Sequence, residues 1–324
     1  MRDHGSPSCG NGCVCDESAR MCPRTFYGVP SGPRYEEVSC STARRGSSCL
    51  PWTLVRVMAT ISTRTFVPGG DSSAALLQRE DRIPAAGRME LKYCVPAPVS
   101  ECVLDVARTF LVPDVLALGP RQRVTSLYLD TPQLTFLRWH RERAGDRFKL
   151  RIRHYGEQPA PMVYAELKRK TGSVVRKRRA AFPTEALHAV LEGSSVPDGA
   201  ASSHDAKNLR DFAYRRWQSG ATPRMLVTCV REPLRDPEDE TAVTVDRDLM
   251  YQPTRHADLV GDARAWQPIP LPSASGPATA LVELKYGARP PEWMEALIAQ
   301  LIPWRISFSK YVAAMNECAA GKIC

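Results

Sequence analysis

The sequence predicts an α+β fold: a closed, eight-stranded antiparallel β-barrel with helices packed on its outside. Three observations lead there. Eight segments between Arg88 and Tyr286 read as strands, DRFKLRIRHY alternating at period 2 without a break. Several of them carry charge on one face and apolar side chains on the other. Helical segments and short hairpins are interspersed between them. An open sheet would leave the charged faces to water, whereas a closed one turns them inward. A charged interior is tolerable only if it is wet, internally paired or filled by a polyanion.

The elements follow in order. RMELKYCV, from Arg88, is a strand with Glu90 and Lys92 on one face and Met89, Leu91 and Tyr93 on the other. Residues 99–110 form a helix, with Val99, Cys102, Val103, Val106 and Phe110 at helical spacing. RVTSLYLD (123–130) is the second strand, ended by Thr131-Pro132, and a short basic amphipathic helix follows over 133–143. The third strand, DRFKLRIRHY (146–155), places Arg147, Lys149, Arg151 and Arg153 on one face and Phe148, Leu150 and Ile152 on the other. Alternate residues lie about 7 Å apart along a strand, so these cations repel unless an anion covers them.

MVYAELKRK (162–170) is a fourth strand with Glu166, Lys168 and Lys170 on one face, and Thr171-Gly172-Ser173 a hairpin turn into VVRKRRAAF (174–182). Period 2 leaves two pairs open for the inward face of that fifth strand, Arg176/Arg178 or Lys177/Arg179. A short helix over 184–192 and a loop precede a helix over 205–218, with Asp205 as N-cap and Leu209, Phe212, Ala213 and Trp217 inward. MLVTCVRE, TAVTVDRD and TALVELKY are the last three strands. Amphipathic helices over 292–301 and 307–318 close the chain.

Residues 1–87 have another texture. They are rich in Ser, Gly, Pro and Cys and hold no lysine, the first being Lys92. They read as a disordered or weakly ordered extension, with 88–318 as the folded domain and 319–324 as a short tail. Six of the eleven cysteines lie in the extension at spacings that match no zinc finger, and Cys94, Cys102, Cys229, Cys318 and Cys324 read as buried thiols. No apolar run approaches the roughly 20 residues of a membrane-spanning helix, and no secretory signal is evident.

The formal net charge is +9 across 324 residues. Between Arg138 and Arg179 there are 14 Lys and Arg against 4 Asp and Glu, so that window alone exceeds the excess of the whole chain. The partner is therefore expected to be polyanionic and to bind there. Three Glu-x-Lys pairs fall on strands: Glu90/Lys92, Glu166/Lys168 and Glu283/Lys285. The chemistry fits phosphate, since Arg and Lys bind oxyanions and Glu holds a hard divalent cation that bridges phosphate oxygens. No Ser-His-Asp or Cys-His arrangement exists, and His140 and His154 read as surface residues. The basic strands lack interleaved exposed aromatics for base stacking, which argues against a nucleic acid.

The stretches ELKY, SLYLDT, KLRIR, AELKRKTG with VVRKRR, TVDRDL, a second ELKY and SFSKY, in that order, resemble the polyphosphate polymerase (VTC, vacuolar transporter chaperone) domain. That family belongs to the triphosphate tunnel metalloenzymes, or CYTH superfamily, and the resemblance spans about 88–318. It implies an eight-stranded tunnel in which the γ-phosphoryl group of ATP passes to a growing polyphosphate chain and ADP is released. It also implies that Lys92, Arg151, Arg153 and Lys168 hold the triphosphate, with Arg231 and Lys285 on the opposite wall. Lys310, beside Ser309, would reach the terminal phosphates. Lys149 would draw phosphate in at the mouth, and Lys177 with Arg179 would join if that pair faces inward. Glu283 leads the metal ligands for Mn²⁺ or Mg²⁺, with Glu166 and Glu90 behind it. The SPX domain and membrane segments of eukaryotic relatives are not visible, so a free-standing, bacterial-type, cytoplasmic version is expected. The alternatives are a triphosphatase of the same fold and a non-catalytic polyphosphate-binding module.

Overall fold

The computed structural model describes residues 89–320, except 115–118, 173, 193–201, 239–240 and 274–275. The expected extension (1–87) and residues 321–324 of the tail lie outside the described residues. Along the chain run β1 (Met89–Val95), α1 (Ala97–Arg108), the two-residue β2 (Val112–Pro113), β3 (Gln122–Asp130) and α2 (Thr135–Arg141). Then come β4 (Asp146–Tyr155), β5 (Met162–Thr171), β6 (Val174–Pro183), α3 (Leu187–Glu192) and α4 (Ser203–Ser219). The chain ends through β7 (Thr222–Arg235), β8 (Ala242–Pro253), the short β9 (Gln267–Pro268), β10 (Ala280–Tyr286), α5 (Glu292–Leu301) and α6 (Lys310–Ala319).

The eight long strands form one antiparallel sheet in the order β1-β10-β8-β7-β3-β4-β5-β6, and β2 and β9 attach to β7 and β8. The α+β class, the antiparallel pairing and the eight long strands agree with the sequence reading; closure does not. The sheet is a curled half-barrel, not a closed barrel, and β1 and β6 are edges. The reason lies at β1. Its outer edge pairs with the segment before α6: Tyr93 bridges to Arg305, and the Ile306 N–H donates to the Lys92 carbonyl at 2.9 Å. With that edge taken, β6 has no strand to join. The curl is nonetheless tight, because Lys168 on β5 reaches Glu90 on β1 at 3.6 Å although five strands lie between them in the sheet.

Three apolar clusters position the concave face. Helices α1 and α5 cover the back of β1, β10 and β8 through Val103, Leu104, Trp293 and Leu297. Helices α2, α3 and α4 cover the back of β3 to β6 through Phe136, Val190, Leu209 and Phe212. The third cluster sits inside the curl, where Tyr311, Ala314 and Cys318 of α6 pack on Val124, Tyr128, Met225 and Val227. Helix α6 thus fills one stretch of the concave face with apolar side chains and leaves the rest to charge. Helix α4 differs from expectation: Ser202, not Asp205, is its N-cap and accepts from the Asp205 N–H. Its buried stripe runs Leu209, Phe212, Arg216, which turns Trp217 to solvent at 64% exposure. Cys94 and Cys229 are buried free thiols, whereas Cys318 is disulfide-bonded, which corrects its reading as a thiol.

Asp130, wholly buried at the end of β3, ties α2 to α6. Its carboxylate accepts from the N–H groups of Thr131, Phe136 and Leu137 at 2.7, 2.8 and 2.9 Å and from the Tyr311 hydroxyl at 2.7 Å. Substituting Asp130→Ala strips four buried donors of their acceptor. The expected loss of stability in urea unfolding is about 2 kcal/mol or more; a change under about 0.5 kcal/mol, the level of an ordinary surface substitution, would contradict this role.

Candidate functional site

The strand registers bring the predicted charges onto one concave wall. Arg151 lies opposite Glu166, and Lys149 opposite Lys168, in the β4–β5 ladder. Glu166 lies opposite Arg179, and Lys168 opposite Lys177, in the β5–β6 ladder. This resolves the open parity: Lys177 and Arg179 face inward, and Arg178 turns outward to Asp211 on α4. In the β1–β10 ladder Lys92 opposes Glu283 and Glu90 opposes Lys285.

Four carboxylates organise these cations. Glu166, 2% exposed, receives Arg151 at 2.5 Å and Lys177 at 3.1 Å, with Arg153 and Arg179 both at 3.9 Å. Burial opposes its charge, but those four cations outweigh burial and hold its carboxyl well below the usual range. Glu283 is bound by Lys92 and Lys285, each at 2.8 Å; burial opposes it too, and the surrounding lysines keep it ionised. Glu90 forms ion pairs with Lys92 at 3.0 Å and Lys168 at 3.6 Å. Against burial and the repulsion of Glu283, these lysines and Lys285 lower it to about 2.

The fourth carboxylate, Asp246 on β8, is absent from the sequence prediction. It is fully buried, takes the Arg231 guanidinium in a two-pronged pair at 2.6 and 2.7 Å, and also binds the Lys310 ammonium at the start of α6. Its signal was present in TAVTVDRD, where Asp246 shares parity with Thr244, and Thr244 donates to Glu283 at 3.4 Å. Three tyrosines were missed as well. Arg151 donates to the Tyr128 hydroxyl at 3.1 Å. Arg179 stacks over the Tyr164 ring at 3.8 Å and donates to the Tyr155 hydroxyl at 3.2 Å. They set guanidinium planes without adding charge. Arg153 is held by Ser126 at 3.0 Å. Ser309 accepts from Lys149 at 2.8 Å, so its hydroxyl does not cap α6.

Among the described residues the wall therefore carries ten cations (Lys92, Lys149, Arg151, Arg153, Lys168, Lys177, Arg179, Arg231, Lys285 and Lys310) against four carboxylates, a formal excess of six positive charges. Burial and the crowd of Lys168, Lys92, Arg151 and Arg147 lower the Lys149 ammonium from 10.5 to about 7. Neither His140 nor His154 is an exposed surface residue: His140 is half-buried, and His154 is buried with Nε2 on the Leu259 carbonyl at 2.9 Å.

The VTC domain matches residues 87–318, and the chain belongs to that family. No curated protein matches it. Among solved structures, it is similar to a protein from Bacillus halodurans proposed as an adenylate cyclase, at 12% identity and a TM-score of 0.40, over 69% of this chain and 94% of that one. A second proposed adenylate cyclase, from Vibrio parahaemolyticus, matches at 13% identity and a TM-score of 0.36, over 70% and 97%. A third, from Hippeastrum, described as having dominant triphosphatase activity, matches at 11% identity and a TM-score of 0.37, over 71% and 95%. Among the described residues no helix is long and apolar enough to cross a membrane.

Lys149 provides a test of the wall's charge. Between pH 7 and 10.5 the unfolded chain holds a proton on this group that the folded chain lacks, so its contribution to stability rises with pH across that window. An anion bound beside Lys149 would favour its charged form. Tripolyphosphate binding at pH 8, followed by calorimetry in two buffers of different ionisation enthalpy, should show net proton uptake that Lys149→Met largely removes. Identical heats in the two buffers would contradict it.

Proposed function

We propose that this chain is a metal-dependent polyphosphate polymerase, a phosphotransferase that moves the γ-phosphoryl group of ATP onto a growing chain of inorganic polyphosphate. The observation that carries the reading is the cationic excess of a concave wall whose guanidinium and ammonium groups are already held in place by carboxylates and tyrosines. Phosphoryl transfer asks little covalent chemistry of a protein; it asks for in-line placement and neutralised charge.

In this reading Lys92, Arg151, Arg153 and Lys168 grip the triphosphate from one side, and Arg231, Lys285 and Lys310 from the other. Lys149, Lys177, Arg179 and Ser309 extend the grip. A terminal oxygen of the acceptor chain forms a bond to the γ-phosphorus. The bond from that phosphorus to its bridging oxygen breaks, and ADP leaves with the electron pair. The acceptor oxygen is already anionic, so no general base is needed. Glu166 serves chiefly to hold Arg151 and Lys177 at working distance.

Enzymes of the tunnel fold generally use divalent metals. Among the described residues no three His, Cys, Asp or Glu side chains gather as a complete metal cage. The donor set still fits a hard cation that takes one or two carboxylates and completes its shell with substrate phosphates. Glu283 and Glu90 share Lys92 and offer oxygen donors on neighbouring strands, so they would hold Mn²⁺ or Mg²⁺. Such an ion, when bound, supplies further charge neutralisation at phosphate oxygens.

Incubation with ATP and Mn²⁺ should yield ADP and long phosphate chains. Release of orthophosphate alone would make the protein a triphosphatase, and tight binding without turnover would make it a binding module. Arg151→Ala and Lys310→Ala should each lower transfer by about 10²-fold or more while the thermal unfolding curve stays cooperative. Near-normal turnover in both variants would remove the assignment.

A further inference from the structure

The cationic row runs on past the proposed reacting centre. Arg147 and Lys170 oppose each other in the β4–β5 ladder, one two-residue step, about 7 Å, beyond Lys149 and Lys168. Together with His140, Arg143 and Ser307 they line a pocket of about 290 Å³ at the end of the hairpin. At about 30 Å³ per water molecule, this is more room than one phosphate group fills.

Three features set this pocket apart from the wall. First, its cations have no counterions. None of the ion pairs among the described residues involves Arg143, Arg147 or Lys170; Arg147 donates only to the Ala144 carbonyl. Within the wall, by contrast, nearly every cation has a carboxylate. Second, the His140 Nδ1 is buried without a hydrogen-bond partner. The ring is kept neutral first by burial and then by Lys149, Arg147, Lys92 and Lys168, which push it down to about 4. A neutral imidazole can carry its one N–H on that orphaned nitrogen and donate it to an anion without taking up charge. Third, Arg143 closes α2 at φ 54°, a left-handed position that glycine normally fills. The strain persists at a residue whose side chain lines the pocket.

We propose that this pocket is a separate anion subsite that holds the stretch of polyphosphate next to its reacting end, so that the protein grips long chains better than short ones. The inference rests on the function proposed above. It assigns a direction as well: the polymer extends along β4 and β5 toward Arg147 and Lys170, where the cationic row continues beyond Lys149 and Lys168.

The test compares inorganic tripolyphosphate with long-chain polyphosphate as ligands for the full-length protein. In Arg147→Gln/Lys170→Gln the affinity for long chains should fall by about tenfold or more, while that for tripolyphosphate stays within about threefold, the ordinary context scatter of a remote charge. Equal losses for both ligands, or no loss for either, would overturn the proposal. A wild-type protein that binds neither ligand would instead contradict the proposed function. Arg143→Gly supplies a variant that relieves strain: its melting temperature should rise while its long-chain affinity drops. A rise in melting temperature with unchanged long-chain affinity would remove Arg143 from the subsite.

Discussion

Ten cations on one concave wall cannot be packed together without counter-charge, and the rest of the site follows from how that is supplied. Each of the four carboxylates sits between cations from different places in the sequence. Glu166 joins β4, β5 and β6; Glu283 joins β1 and β10; Asp246 joins β7, β8 and α6; Glu90 reaches from β1 across the curl to β5. These pairs cross the sheet as well as hold charge. Removing one buried carboxylate would leave buried cations uncompensated, which is far more destabilising than losing an exposed pair. Yet four charges do not neutralise ten, and the remainder is an excess of positive charge that would favour a polyanion.

Helix α6 decides how much of the wall is available. Its apolar face packs inside the curl, while Lys310 at its first turn is drawn to Asp246. The Asp130 carboxylate fixes both α2 and Tyr311, and Tyr311 stacks on Tyr128 with ring centroids 5.2 Å apart. Tyr128 in turn orients Arg151. A buried acid at the end of β3 is thereby connected, through two rings, to a guanidinium on the proposed reacting wall. Placement of the cations thus depends on apolar packing as much as on charge.

Much of the wall was legible in the sequence because period-2 alternation is a local property. DRFKLRIRHY alone sorts Lys149, Arg151 and Arg153 from Phe148, Leu150 and Ile152, and the two faces emerge as read. What depends on pairing was not legible. The parity of Lys177 and Arg179 needed the β5–β6 register. The strand parity of Asp246 with Thr244 is legible in TAVTVDRD, but its importance appears only when Arg231 and Lys310 converge on it. Closure of the barrel was misjudged because residues 305–306, a short irregular stretch, occupy the edge of β1 that β6 would need. Trp217 was placed inward by its hydrophobicity, whereas the packing stripe of α4 buries Arg216. His140 was read as exposed because nothing local reveals the lysines gathered around it.

The most direct measurement of the central claim is a crystal structure with tripolyphosphate bound. Phosphate oxygens are expected on Arg151, Arg153, Lys92, Lys168 and Lys310, with Glu166 and Asp246 still holding their arginines behind the ligand. Tripolyphosphate bound on the helical exterior, or a concave wall left empty at saturating ligand, would contradict it.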